Sequence, residues 1–300
     1  MNNYKNEDEI ELYELLSALW KGKFIIFFIT TLFAIASIFY ALSLPNVYSS
    51  YTILKPSEQS SSSSGLLGQY AGMASLAGIS LGSSGSSDKT SEAIERIRSY
   101  DFFSKFFLPE ISYQDLVAVK DWDRSTNTLI YDDKIFDVNT MKWVSGSISM
   151  QDAYEIYNDI FFINQDKLTR FVSISAKHNS PHIAKDWVDL VVKKINSSMR
   201  DNEKNTASKS VEFLNKQMQK VNYQEIRQAI ASLQESQMKS LMLIEANEDY
   251  IFKTIDSAIV PENKSEPKRS LVVIVATIFG FAISILFVCT RFFLNKKNIK

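Results

Sequence analysis

The sequence predicts a membrane-anchored α+β protein in which two transmembrane helices flank a periplasmic mixed α/β base with a long protruding helical arm. Three observations lead there. Two runs without a charged residue, Phe24–Leu44 and Leu271–Thr290, lie towards the two ends of the 300-residue chain. Between them, β-rich segments alternate with helical ones, the pattern of a layered α and β body. Third, between Pro181 and Pro261 there is no glycine and no proline, and helix formers dominate as far as Glu245.

The elements follow in chain order. Residues 1–23 form a head whose stretch Ile10–Trp20 has apolar residues at helical spacing and is expected at the membrane surface. Residues 24–44 are the first transmembrane helix, since about 20 apolar residues at ~1.5 Å each span a ~30 Å hydrocarbon core. Its uncharged run is longer than a signal-peptide core and no A-x-A site follows, so it is read as an anchor. Lys21 and Lys23 precede it, and Arg291, Lys296, Lys297 and Lys300 follow the second run. By the positive-inside bias both termini are cytoplasmic and the intervening region periplasmic, although Lys268 and Arg269 on the far side of the second helix weigh against this.

Residues 45–180 are read as the base. Asn46–Pro56 is rich in β-branched and tyrosine residues and is predicted as a strand. A Gly/Ser-rich loop, 60–87, holds six of the nine glycines and a set of apolar residues suited to docking on a neighbouring subunit. Asp88–Phe107 is predicted as one helix with Ile94, Ile97, Phe102 and Phe106 on its apolar face. Short strands and turns are expected over Leu129–Val144. A helix over residues 151–162 is opened by the Ser149 and Asp152 capping pattern, and a strand follows at Phe171–Ala176.

The arm occupies 181–247. Ser180 and Pro181 supply the N-cap and first helical position. Ile183, Trp187, Leu190, Val191 and Ile195 form one apolar face, and Val211, Leu214, Met218 and Val221 a second at coiled-coil-like spacing. A single helix to Glu245 would reach ~95 Å, so the chain must turn back, and Asn222 with Glu225 marks a turn near 220–222 with a descending helix from Tyr223 to Ala246. The polar middle, Arg200–Ser210, is too hydrophilic for a closed core and is expected to be solvated or paired across an oligomer interface. A returning strand and Pro-containing segment (248–270) lead to the second transmembrane helix (271–290) and a cytoplasmic tail (291–300).

No catalytic constellation emerges. Phosphate-binding loop and H-E-x-x-H patterns are missing from the sequence. His178 and His182 are interrupted by the helix-starting Pro181, so they are read as surface histidines and no metal site is assigned. Asp121, Asp123, Asp132 and Asp133 are read as turn residues rather than the paired carboxylates of a glycosidase. The lone Cys289 excludes an internal disulfide, and a formal net charge of -1 gives no reason to expect a nucleic-acid partner. No catalytic residue, cofactor or metal is called for. Two candidate functional segments remain. Ala276, Gly280 and Ser284 make a small-residue stripe for helix packing or a partner, and Pro261, Pro267, Lys268 and Arg269 form a membrane-proximal segment.

With these pieces in order, the chain resembles the Wzz-type chain-length determinants, the class 1 polysaccharide co-polymerases of Gram-negative inner membranes. The resemblance rests on the head Glu9–Lys23 running into the first apolar helix, on YIFKTIDSAIVPE (Tyr250–Glu262), and on Pro267–Arg269 entering a second apolar helix that carries Gly280. It departs at Ser257, where the family usually has proline, and in having only Gly280 in that last helix. The resemblance implies a non-enzymatic inner-membrane regulator of the length of O-antigen or a related surface glycan. Its implied partners are further copies of itself in a ring, the membrane polysaccharide polymerase and the growing lipid-linked glycan. The alternative is a two-span periplasmic ligand sensor signalling through a partner, for which the short cytoplasmic ends leave no output module.

Overall fold

The computed structural model describes residues 19–57, 86–144, 146 and 148–297. All of the Gly/Ser-rich loop but Ser86 and Ser87, which are helical, and nearly all of the predicted head lie outside these residues. Two compact units are present, one formed by the two chain ends and the other by residues 47–263.

In the first unit, α1 (Lys23–Ser43) and α7 (Arg269–Lys297) are the two helices long and apolar enough to cross a membrane. Two of their hydroxyls bond inside their own helices: Thr30 donates to the Ile26 carbonyl and Thr277 to that of Val273, each one turn back. This removes the penalty of an unpaired polar group in hydrocarbon.

The second unit is built on a sheet of order β6-β7-β1-β8, antiparallel throughout. In chain order it comprises β1 (Tyr48–Pro56), α2 (Ser86–Arg98), α3 (Tyr113–Val117), the hairpin β2 (Val119–Asp123) and β3 (Thr128–Tyr131), and a two-residue ladder of β4 (Phe136–Asp137) with β5 (Lys142–Trp143). Then come α4 (Met150–Ile160), β6 (Phe161–Gln165), β7 (Val172–His178), α5 (Pro181–Met218), α6 (Gln224–Ala246) and β8 (Phe252–Asp256). The register sets Tyr48 opposite His178, Ser50 opposite Ala176, Thr52 opposite Ile174 and Leu54 opposite Val172. Alternate residues therefore share one buried face, and all eight of these are buried. Ser50 and Thr52 are tolerated there because they donate to the carbonyls of Ile259 (2.7 Å) and Asp256 (2.6 Å). These bonds hold the chain beyond β8 against β1, and the returning strand expected within residues 248–270 is confined to Phe252–Asp256.

The single helix expected over Asp88–Phe107 is broken. Ser99 leaves helical conformation and its hydroxyl accepts from the Phe102 amide, restarting the helix, which then runs through a π-helical turn at Phe103–Phe107. The extra residue in that turn rotates the face, so Phe103 and Phe107 are fully buried and Phe106 only partly so. Phe107 lies edge-on to Phe161 and Trp187 and tilted against Tyr157 at 5.0 Å. The last carbonyls of α2 find side-chain donors, with the Tyr157 hydroxyl on Ile97 (2.8 Å) and that of Tyr154 on Arg98.

Ser149 caps α4 as its sequence indicates, accepting from the Asp152 amide at 3.1 Å. The helix ends at Ile160, and Phe161–Gln165, read partly as helix, is a strand. At the turn between α5 and α6 the N-cap is Tyr223, with no side-chain bond, so the capping box expected from Asn222 and Glu225 does not form. The polar middle of α5 is largely exposed, with ion pairs inside the chain from Glu203 to Lys89 and from Lys204 to Glu245. Within it Ala207 is buried, beyond it Val211, Leu214 and Met218 are half-buried, and on α6 Ile230 and Ile244 are buried.

His178 corrects the expectation of surface histidines. It is buried, with its ring 4.8 Å from that of Trp187. Its Nδ1 accepts from the Ser180 amide at 2.9 Å, which leaves Nε2 as the protonated nitrogen, 3.0 Å from the Asp115 carbonyl. A second proton would face the Ser180 N–H, and burial already pushes the imidazole below its ordinary pKa. Unfolding restores the ordinary affinity for protons, so stability is complete above about pH 6.5 and falls as pH drops toward the folded-state value. Thermal unfolding of the full chain in detergent should show Tm declining from pH 7 to pH 5. His178→Gln, which keeps one acceptor and one donor without titrating, should flatten that decline.

Candidate functional site

Of the residues singled out in the sequence, the small-residue stripe is occupied from within the chain. Gly280 and Ser284 on α7 are buried, as are Ser37 and Ala41 on α1. A Cβ on Gly280 would lie 2.5 Å from the Cβ and 2.7 Å from the Cγ of Phe33, so glycine is what lets the two helices approach. Ala276 sits one turn earlier, half-buried. The outward faces carry Phe24, Phe28, Ile35 and Phe39 on α1 and Ile274, Ile278, Phe281 and Leu286 on α7, all exposed.

The segment around Arg269 forms a brace at the ends of the two helices. The Asn46 side-chain oxygen accepts from Lys264 at 3.0 Å and from Arg269 at 3.2 Å, and Arg269 also reaches the Leu44 carbonyl at 3.4 Å. Chain leaving α1 is thus tied to chain entering α7. Pro267 and Lys268 supply carbonyls to the first amides of α7, Pro267 to Arg269 and Lys268 to Leu271 and Val272, while the Lys268 side chain is exposed.

Pro261 belongs to a different place. It lines a cleft of about 320 Å³ in the second unit, between the β2–β3 hairpin, the first turn of α5 and the segment beyond β8. Local sequence builds each wall. In the hairpin turn the Asp123 carboxylate accepts from the Ser125 amide (2.8 Å), the Ser125 hydroxyl (2.7 Å) and the Thr126 hydroxyl (2.9 Å), which holds its pKa below the ordinary carboxylate value. Asn127 closes the turn at φ +53°, a conformation asparagine tolerates, and its oxygen accepts from the Trp122 indole N–H at 3.0 Å. Tyr48 meets Trp122 edge-on, with ring centroids 5.6 Å apart. Asn179 donates to the Lys120 carbonyl at 3.1 Å, fastening the hairpin to the start of α5. The rim carries Arg124, His182 and Glu262, all exposed.

This cleft was not legible in the sequence as a site. Trp122 lies between Asp121 and Asp123, whose carboxylates serve their own backbone turn; Asp121 accepts from the Trp122 amide, and Asp132 from that of Lys134. His182, four residues from His178 in sequence, lines the cleft, whereas His178 is in the core. Among the described residues no group of three or more His, Cys, Asp and Glu is arranged to hold a metal.

Comparisons with known proteins bear on the chain at both ends. Residues 8–108 match the family model for Wzz, the chain length determinant protein, and residues 217–293 match that for GNVR, a G-rich domain on putative tyrosine kinase. No curated protein matches. Among solved structures, a full-length bacterial polysaccharide co-polymerase is similar at 15% identity over 97% of this chain and 100% of that one, with a TM-score of 0.42. A fragment of WzzB, a polysaccharide co-polymerase from Salmonella Typhimurium, is similar at 11% identity over 74% of this chain and 100% of that one, with a TM-score of 0.30. Residues 8–108 are thus similar to the Wzz chain length determinant family, and residues 217–293 to the GNVR domain.

Proposed function

We propose that the chain is a non-enzymatic regulator of polysaccharide chain length, anchored in a bacterial inner membrane by α1 and α7. It acts as a homo-oligomeric ring beside the polymerase that extends O-antigen or a related lipid-linked glycan. In this reading both termini are cytoplasmic and residues 45–270 periplasmic, following the lysines and arginines that flank the apolar helices. The domain matches support the regulator class.

The observation that carries the oligomer is the α5–α6 hairpin. α5 has 38 residues, about 57 Å of helix, and the hairpin leaves Phe213, Tyr223, Ile226, Leu233 and Met242 exposed. A monomer seldom leaves such a set of large apolar side chains in water, and side-by-side copies would cover it. Deleting the gene should change the length distribution of a surface polysaccharide on a gel. An unchanged ladder for every glycan the host makes would refute the proposal.

A further inference from the structure

The cleft at Trp122 has the chemistry of a sugar site. Its indole is half-buried and fixed from two directions, by the bond to Asn127 and by the T-shaped contact with Tyr48. A ring held in place while part of it stays open to solvent is a surface prepared for a flat apolar ligand face, because no freedom is lost when the ligand arrives. The C–H face of a pyranose is such a partner. Around the ring stand one cation, Arg124, one anion, Glu262, and the imidazole of His182, whose ring centroid is 6.3 Å from that of Trp122. Opposite charges on one rim select neither an anion nor a cation. They offer donors and acceptors together, which suits the hydroxyls of a neutral sugar. The volume, about 320 Å³, is at the lower end of the ~300–1,000 Å³ typical of ligand sites, the scale of one or two sugar rings rather than a long chain.

We propose that this cleft is a saccharide-binding subsite that engages the growing glycan one or two residues at a time, with the indole of Trp122 as the stacking surface and Arg124, His182 and Glu262 as hydroxyl partners. This rests on the chain-length reading and adds to it the place where the polymer is touched. The cleft is pre-formed: besides the Trp122–Asn127 bond, Asn179 ties the hairpin to α5, and Ser50 ties the segment carrying Glu262 to β1.

The test uses the full chain in lipid nanodiscs, with the host's own surface polysaccharide released from lipid by mild acid as probe. Saturation-transfer NMR should detect ring protons of the glycan on the wild type. Trp122→Ala should weaken binding about tenfold, the loss of a single well-stacked aromatic contact, and Arg124→Ala with His182→Ala should weaken it too. These last two sit on the exposed rim and keep the reading testable if Trp122→Ala fails to fold. In the host, the same variants should shift the modal glycan length at unchanged membrane level and oligomer mass. If gene deletion leaves every ladder unchanged, the chain-length reading fails. If deletion changes the ladder but the wild type gives no transfer signal, or the variants bind and regulate as the wild type does, the subsite alone is overturned. Loss of the signal on adding inorganic diphosphate, which would point to the lipid carrier's phosphates, also overturns it.

Discussion

Asn196→Leu should lower the thermal midpoint of the full chain in detergent by about 10 °C, corresponding to a loss of about 4 kcal/mol. Asn196 is buried on α5, and its side chain makes three bonds to the head of β8. The oxygen accepts from the amides of Ile251 (3.0 Å) and Phe252 (2.9 Å), and the nitrogen donates to the Phe252 carbonyl at 2.9 Å. Ile251 and Phe252 are themselves buried, so no water replaces the lost partner. Leucine of similar size would strand three backbone groups, at about 1–3 kcal/mol each before relaxation. Asn196→Asp keeps both acceptor bonds and loses the donor, and it should fall between. A midpoint within about 2 °C of wild type for Asn196→Leu would show that this bond set does not join α5 to β8; monitoring by circular dichroism suffices.

Gly280→Leu should separate α1 from α7, because the obstruction is the Phe33 Cβ, one bond from the backbone, which no side-chain rotation can move. Overpacking of this kind costs about 1–3 kcal/mol, with leucine at or above the upper end and alanine below it. The expected readouts are a lower midpoint in detergent and an altered glycan length distribution. Exchanging the obstruction, by combining Phe33→Gly with Gly280→Ala, should recover part of what Gly280→Ala loses. Absence of any such coupling would mean that the two helices do not meet at this pair.

Much of this fold was legible from the chain. The apolar runs, β1 and the Ser149 cap each rest on a local rule that tertiary context did not override, whereas the chain turns near residue 220 without the capping box that marked it in the sequence. What escaped was decided at a distance. His178 reads as a polar residue before a helix, and only pairing with Tyr48 across the sheet puts it in the core. The break at Ser99 and the π-helical turn after it bring Phe103 and Phe107 to Tyr157 and Trp187, which no helical period foretells. Phe161 and Phe162 of the Phe161–Gln165 strand read as helix because they continue an amphipathic run, and pairing with β7 decides otherwise. The sequence marks Ala276, Gly280 and Ser284 as a small-residue stripe, but not that Phe33 of α1 lies against Gly280. The Trp122 cleft gathers residues from β1, the first hairpin, α5 and the chain beyond β8, elements distant in sequence.

The most direct measurement is the length distribution of the host's surface polysaccharide, resolved on a gel, in a strain lacking the gene, with and without the chain restored from a plasmid. Regulation of chain length predicts that deletion abolishes the modal band cluster and that restoration returns it at the original length. A distribution that is the same in all three strains would contradict it.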